Sequence, residues 1–97
     1  MGVYTIMLKR SAIADLDALW KYDAVLIADA MERHLKRNPT KESKSRIKRL
    51  RGISNPDYRL RVGDYRIFYV VDEAARRVDV LRVMHKEQTL RYYKELK

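Results

Sequence analysis

The sequence predicts an α+β fold built on a single sheet, and three observations lead there. A short apolar run opens the chain, two amphipathic stretches follow it, and three alternating runs fill the second half. The order is strand, helical hairpin, then a three-stranded antiparallel meander, with a short helix at the C-terminal end. Such an order places the hairpin helices on one face of the sheet. With 97 residues, 46% of them hydrophobic, the chain suits one globular domain spanning 1–97.

Each element has a local reason. Residues 3–8 combine β-branched, aromatic and aliphatic side chains and read as a strand. Ser11 is placed to cap a first helix, along which Ile13, Leu16, Leu19 and Trp20 recur at helical spacing. Asp15 and Asp17 lie near its start, where the helix dipole favours negative charge. A second helix over 22–37 carries Ala24, Ile27, Met31 and Leu35 as its buried stripe. Arg33, Lys36 and Arg37 suit its last turn, and Asn38-Pro39 ends it. Residues 40–52 are polar and basic, with Ile47 and Leu50 as the only large apolar side chains, and read as a loop or short helical turn. Tyr58, Leu60 and Val62 then alternate with Arg59 and Arg61 at the strand period of two. Gly63-Asp64 makes a tight turn into a strand over 65–71, and residues 72–76 turn into a third strand over 78–83. Short connections make the antiparallel meander the economical topology. Residues 87–96 have the pattern of a short helix. No repeat, linker or low-complexity tract divides the chain.

Charge is the most informative bulk property. Twenty-two Lys and Arg face 13 Asp and Glu, a net +9 with a pI near 10.0. An excess of this size favours an anionic partner, nucleic acid first among them. The charge is also clustered. Between Lys41 and Arg66 nine basic residues meet three acidic ones, so +6 of the +9 lies in about a quarter of the chain. With no cysteine, neither a disulfide framework nor a thiolate metal site is possible, which fits a reducing compartment. No apolar stretch approaches the ~20 residues that cross a bilayer. The start Met1-Gly2-Val3-Tyr4 lacks the basic and apolar regions of a signal peptide. A cytoplasmic location without membrane association is the expectation.

The residues that can carry chemistry are mostly cationic. On a strand, Arg59 and Arg61 project from one face while Tyr58, Leu60 and Val62 project from the other. The tight turn brings Arg66 near them, so three guanidinium groups share one region of a sheet. They repel one another unless an anion fills the space, and the planar fork of arginine matches a phosphate. His85 and Lys86 end the last strand, and an imidazole beside such a pocket can exchange a proton near neutral pH. Tyr92 and Tyr93 follow, and a phenol ring can stack on an unpaired base. Neighbouring residues on a helix face different ways, so at most one of the two should line the site. His34, far from His85, reads as structural or surface. The sequence has no phosphate-binding glycine loop, paired metal-ligating histidines or acidic cluster, so neither a cofactor nor a metal is expected. RNA carries its own nucleophile. A 2′-hydroxyl attacks the adjacent phosphate if the protein aligns it and stabilises the developing charge.

At residues 58–69, Tyr58-Arg59-Leu60-Arg61-Val62-Gly63-Asp64-Tyr65-Arg66-Ile67-Phe68-Tyr69, preceded by Leu50-Arg51-Gly52, the chain resembles the RelE/ParE toxin superfamily. The element order resembles that fold over nearly the whole chain. The resemblance implies a toxin with a cognate antitoxin. In the nuclease branch it implies cleavage of mRNA in the ribosomal A site, leaving a cyclic phosphate and a free 5′-hydroxyl. The catalytic positions it implies are Arg59, Arg61, Arg66, Lys86 with His85 beside it, and Tyr92 with Tyr93 as the register alternative. Arg61 or His85 would assist the 2′-hydroxyl, and Lys86 or His85 the departing 5′-oxygen. Lys44, Lys48, Arg49, Arg51 and Tyr93 would contact mRNA and ribosomal RNA. Family nucleases can carry lysine where this chain has Arg59 and Arg61, and arginine, protonated below pH ~12, is a poor base. A DNA gyrase inhibitor on the same scaffold and a non-catalytic RNA-binding module are the alternatives.

Overall fold

The computed structural model describes residues 2–96. Strand β1 (Thr5–Leu8) leads into helices α1 (Arg10–Asp17) and α2 (Lys21–Leu35). Strands β2 (Ile47–Arg49), β3 (Tyr58–Val62), β4 (Tyr65–Asp72) and β5 (Arg77–His85) follow. A 3-10 turn, Lys86–Gln88, then opens helix α3 (Thr89–Leu96). The strands form one sheet in the order β1-β5-β4-β3-β2. β1 is parallel to β5, and the other pairs are antiparallel.

Consecutive strands β1 and β2 thus lie at opposite edges, and the chain must cross the whole sheet between them. Four inter-strand steps of ~4.8 Å make about 19 Å. The 15 residues of α2 rise about 22 Å, enough to make that crossing. The crossing helix buries Ile27, Met31 and Leu35 against Leu60, Ile67, Tyr69, Val78 and Val80 of one sheet face. Two tyrosines of β4 tie this layer down. The Tyr69 hydroxyl, deep in the core, donates to the Pro39 carbonyl at 2.6 Å, and the Tyr65 hydroxyl donates to Asp23 of α2 at 2.9 Å. β1 ends at Leu8, so the far half of β5 lacks a strand partner on that side. Asp15 of α1 takes its place, accepting the Val83 backbone N–H at 2.8 Å and two hydrogen bonds from Arg82.

The architecture agrees with the sequence expectation in class and element order, and departs from it in four places. The basic segment over 40–52 is not a loop or a helical turn throughout: it contains β2. Ile47 enters the core at 4% exposure opposite Leu60, and that one anchor suffices for a three-residue edge strand. Helix α1 starts at Arg10 with Lys9 as its cap residue and no side-chain cap, so Ser11 lies inside the helix. Ile13 and Trp20 are exposed at 47% and 75%, because α1 is two turns long and rests on the sheet edge through Ala12 and Leu16. Finally, only the α1–α2 hairpin occupies the first face. Helix α3 lies on the other, over Phe68.

Burial holds the Tyr69 phenol neutral, well above its ordinary value. The unfolded chain ionises this group from pH ~10. Above that pH the unfolded state binds fewer protons than the folded state, so stability falls as pH rises. Tyr69→Phe is expected to flatten the decline above pH ~10 by up to about 1.4 kcal/mol per pH unit. At pH 7 it should cost about 1–3 kcal/mol through the unpaired Pro39 carbonyl. Urea titrations of both proteins from pH 7 to 11 measure the two effects.

Candidate nucleic-acid interface

The pleat decides what the second face presents. Directly opposed residues of paired strands share a face. Lys48, Arg59, Phe68 and Arg82 therefore form one row across β2, β3, β4 and β5, and Arg61, Arg66 and Met84 form the next. Phe68, fully buried, is the seat of α3. Tyr92 packs on it at 4.9 Å between centroids and Tyr93 edge-on at 5.7 Å. Phe68 thus lies beneath both rings.

The four arginines of this face divide into two kinds. Arg82 is compensated: Asp15 holds it in a two-pronged ion pair at 2.8 and 3.1 Å, and its guanidinium lies 5.6 Å from the Tyr92 ring centroid. Arg59, Arg61 and Arg66 have no carboxylate within 4.0 Å among the described residues. Arg66 donates to the Gly63 and Tyr65 carbonyls, both at 3.0 Å, and these neutral acceptors leave its charge in place. Partial burial lowers its proton affinity, and the charges of Arg59 and Arg61 lower it further. The Nε of Arg59 is buried without a hydrogen-bond partner. Burial raises the Tyr93 phenol against the opposing pull of Arg59 and Arg66, which places this tyrosine, and not Tyr92, in the field of the arginine set.

His85 does not join them. Strand β5 carries an extra residue, Leu81, between the partners of Phe68 and Tyr69. A bulge of this kind flips the facing of every later side chain. Val83 and His85 consequently turn to the helix-hairpin face, and the His85 ring meets Tyr65 edge-on at 5.7 Å. Its Nδ1 accepts the Glu87 backbone N–H, capping the 3-10 turn. Lys86 lies at the end of the sheet beside the β3–β4 turn. Its backbone N–H donates to the Asp64 carbonyl at 2.7 Å, and its ammonium is 3.4 Å from the Asp64 carboxylate. That turn opens on Gly63 at φ +55°, a conformation suited to glycine, which keeps the two-residue connection tight enough to set Arg66 opposite Arg61.

The remaining basic residues spread along the β2 edge. Lys48 faces the arginine side, while Arg49 lies over Tyr58 at 5.6 Å and donates to its hydroxyl. Lys44 and Arg51 are exposed in the segments flanking β2. Sequence reasoning missed Phe68, Arg82 and Asp64. Alternation along β4 places Phe68 with the arginines, and the turn position of Asp64 places it beside the strand ends. Only the bulge puts Arg82 on this face.

Comparison with known proteins follows the geometry. Residues 6–90 match the family described as the ParE toxin of the type II toxin–antitoxin system, parDE. Among solved structures, the toxin–antitoxin complex RelBE2 from Mycobacterium tuberculosis contains a chain 28% identical over 88% of this chain and 93% of that one, with a TM-score of 0.76. The archaeal RelE–RelB complex from Pyrococcus horikoshii OT3 gives 24% identity, 87% and 96% coverage and a TM-score of 0.70. A free-state mutant of the E. coli toxin RelE gives 21%, 94% and 92%, and 0.74. No curated protein sequence matches. A match over nearly the full length to one toxin family, on a fold shared with RelE, means that the chain belongs to the RelE/ParE superfamily and is the toxin of a type II toxin–antitoxin system.

Proposed function

We propose that this toxin is a ribosome-dependent mRNA endoribonuclease that cleaves by metal-independent attack of a 2′-hydroxyl on its own phosphodiester. One observation carries the proposal: Arg59, Arg61 and Arg66 share a sheet face with no carboxylate to neutralise them among the described residues. A triply cationic surface accepts a phosphate and gains most when that phosphate acquires charge in the transition state. The 2′-oxygen bonds to phosphorus, the bond to the 5′-oxygen breaks, and a cyclic phosphate remains. Arg61 and Arg66 stabilise the phosphorane-like charge, and Arg59 holds the strand. Lys86, positioned by Asp64, supplies a proton to the departing 5′-oxygen. Solvent takes the proton of the 2′-hydroxyl, since His85 faces the other side. Tyr93, ordered on Phe68, offers a ring for an unpaired base, with Tyr92 beside it over Arg82. Lys44, Lys48, Arg49 and Arg51 extend the cationic track toward ribosomal RNA. The relatives crystallised as RelB–RelE complexes support an antitoxin partner, whose amphipathic segment would cover the basic surface.

A second reading, inhibition of DNA gyrase, is favoured by the parDE family match and by the lack of an imidazole on the arginine face. Inducing the toxin in cells and mapping RNA ends by primer extension separates the two. Cuts within translated codons are the expected result, and gyrase-trapped DNA breaks with intact mRNA would overturn it. Arg66→Ala should lower cleavage by about 10²–10³, the usual effect of removing one charge-stabilising donor. His85→Ala should stay within a few-fold of the parent.

Salt gives an independent check. For single-stranded RNA, the logarithm of the binding constant should fall linearly with the logarithm of salt concentration. Arg61→Gln should reduce that slope by about 0.7 in fluorescence anisotropy, one phosphate contact on a single strand.

A further inference from the structure

We infer that the outer face of α2 is a self-association surface, on which two copies of this chain pack their α2 helices antiparallel about a two-fold axis. Five of the eight large hydrophobic side chains left exposed among the described residues lie in the stretch from Ile13 to Leu26. Tyr22, Val25 and Leu26 recur at helical spacing and share one face of α2, opposite the stripe of Ile27, Met31 and Leu35 that enters the core. Trp20, the residue before the helix, sets its ring 6.1 Å from that of Tyr22. The four side chains thus form one apolar patch that nothing in the chain covers. Trp and Tyr are the usual anchors of protein interfaces, and a contiguous exposed apolar patch on a small domain marks one.

Charge selects the occupant. Two chains of +9 repel wherever their cationic surfaces meet. From Arg10 to Leu35 five carboxylates meet three cations, so the hairpin stands at −2 while the rest of the chain carries +11. The hairpin is therefore where two copies approach with least repulsion. Its stripe is also self-complementary, as a two-fold contact requires. In an antiparallel pair centred between Val25 and Leu26, Tyr22 of each helix stands opposite Asp29 of the other. Lys21, exposed beside Tyr22, reaches the same carboxylate. Asp29 has a free oxygen for them, because its exposed ion pair with Arg33 uses Oδ2 alone. Antiparallel packing further sets the positive end of each helix dipole beside the negative end of the other. A cationic partner protein would satisfy the −2 but leave Lys21 unpaired at the patch, whereas a second copy pairs it. Hairpin and arginines occupy opposite faces of the sheet, so the dimer leaves both arginine faces open. The inference stands apart from what those arginines do.

Trp20 is the only tryptophan of the chain, so its emission reports on this face alone. Sedimentation velocity of the purified full-length chain over a concentration series should show a monomer–dimer equilibrium. Trp20 emission should move to shorter wavelength as the dimer forms. Trp20→Glu and Val25→Glu, both at exposed positions, should each weaken the dimer about tenfold or more, the loss expected of a central anchor, while circular dichroism shows the parent fold. Lys21→Glu and Asp29→Lys should each weaken it by a smaller factor, and the two exchanges together should restore it, which pairing between copies explains and a role within one helix does not. A chain that stays monomeric across the series overturns the proposal, as does a dimer untouched by Trp20→Glu. Trp20 emission that moves only when a basic amphipathic peptide is added assigns the face to a different protein and overturns it too. No readout here involves RNA, so the nuclease proposal can fail with the dimer standing, and the dimer can fail with mRNA cleavage intact.

Discussion

Everything at the candidate interface depends on the pleat of β3. Because successive side chains of a strand point to opposite faces, Tyr58, Leu60 and Val62 enter the core while Arg59 and Arg61 leave it. Leu60, fully buried against α2, fixes the register, and a slip of one residue would drive guanidinium groups into the core. The energy that holds the fold and the placement of the cations are therefore one constraint. The tight turn at Gly63 then carries the alternation into β4, so that Arg66 stands opposite Arg61 and Phe68 opposite Arg59.

Acidic residues are used where they stabilise the fold, and among the described residues none stands within 4.0 Å of the three arginines' charged groups. Asp15 closes the open edge of β5, Asp23 receives Tyr65, and Asp79, itself buried, is held by Arg77. These carboxylates pair with backbone, phenol or the outer arginines. Arg59, Arg61 and Arg66 are left to repel one another, a cost the fold accepts because α3, seated on Phe68, still gives that face an apolar centre. Unpaired like charge beside an ordered aromatic ring does not serve stability.

The bulge at Leu81 does more than bend a strand. It sends Arg82 to the α3 face, where Asp15 neutralises it, and sends His85 to the hairpin face, where it meets Tyr65. One inserted residue thus removes the only imidazole near the strand ends from the arginine set. Without it, simple alternation from Val78 and Val80 would have turned His85 to the arginine face. The chemistry left on that face is cationic and phenolic, which weights any catalysis there toward alignment and charge stabilisation.

Much of this was legible in the sequence. The alternation at residues 58–62, the Gly63-Asp64 turn and the helical stripe of Ile27, Met31 and Leu35 determine their elements locally, because each pattern repeats with the period of the structure it forms. The clustering of Arg59, Arg61 and Arg66 followed from the same local rule. What tertiary structure alone decided depends on partners distant in the chain. Ile47 made a strand of a basic segment by finding Leu60, and β1 found β5 across more than seventy residues. The face of His85 turned on a bulge that only pairing with β4 reveals, and the face of α3 on Phe68 being free to receive it. Periodicity is written into a single segment, whereas register and the choice of face belong to pairs of segments, and no single segment contains them.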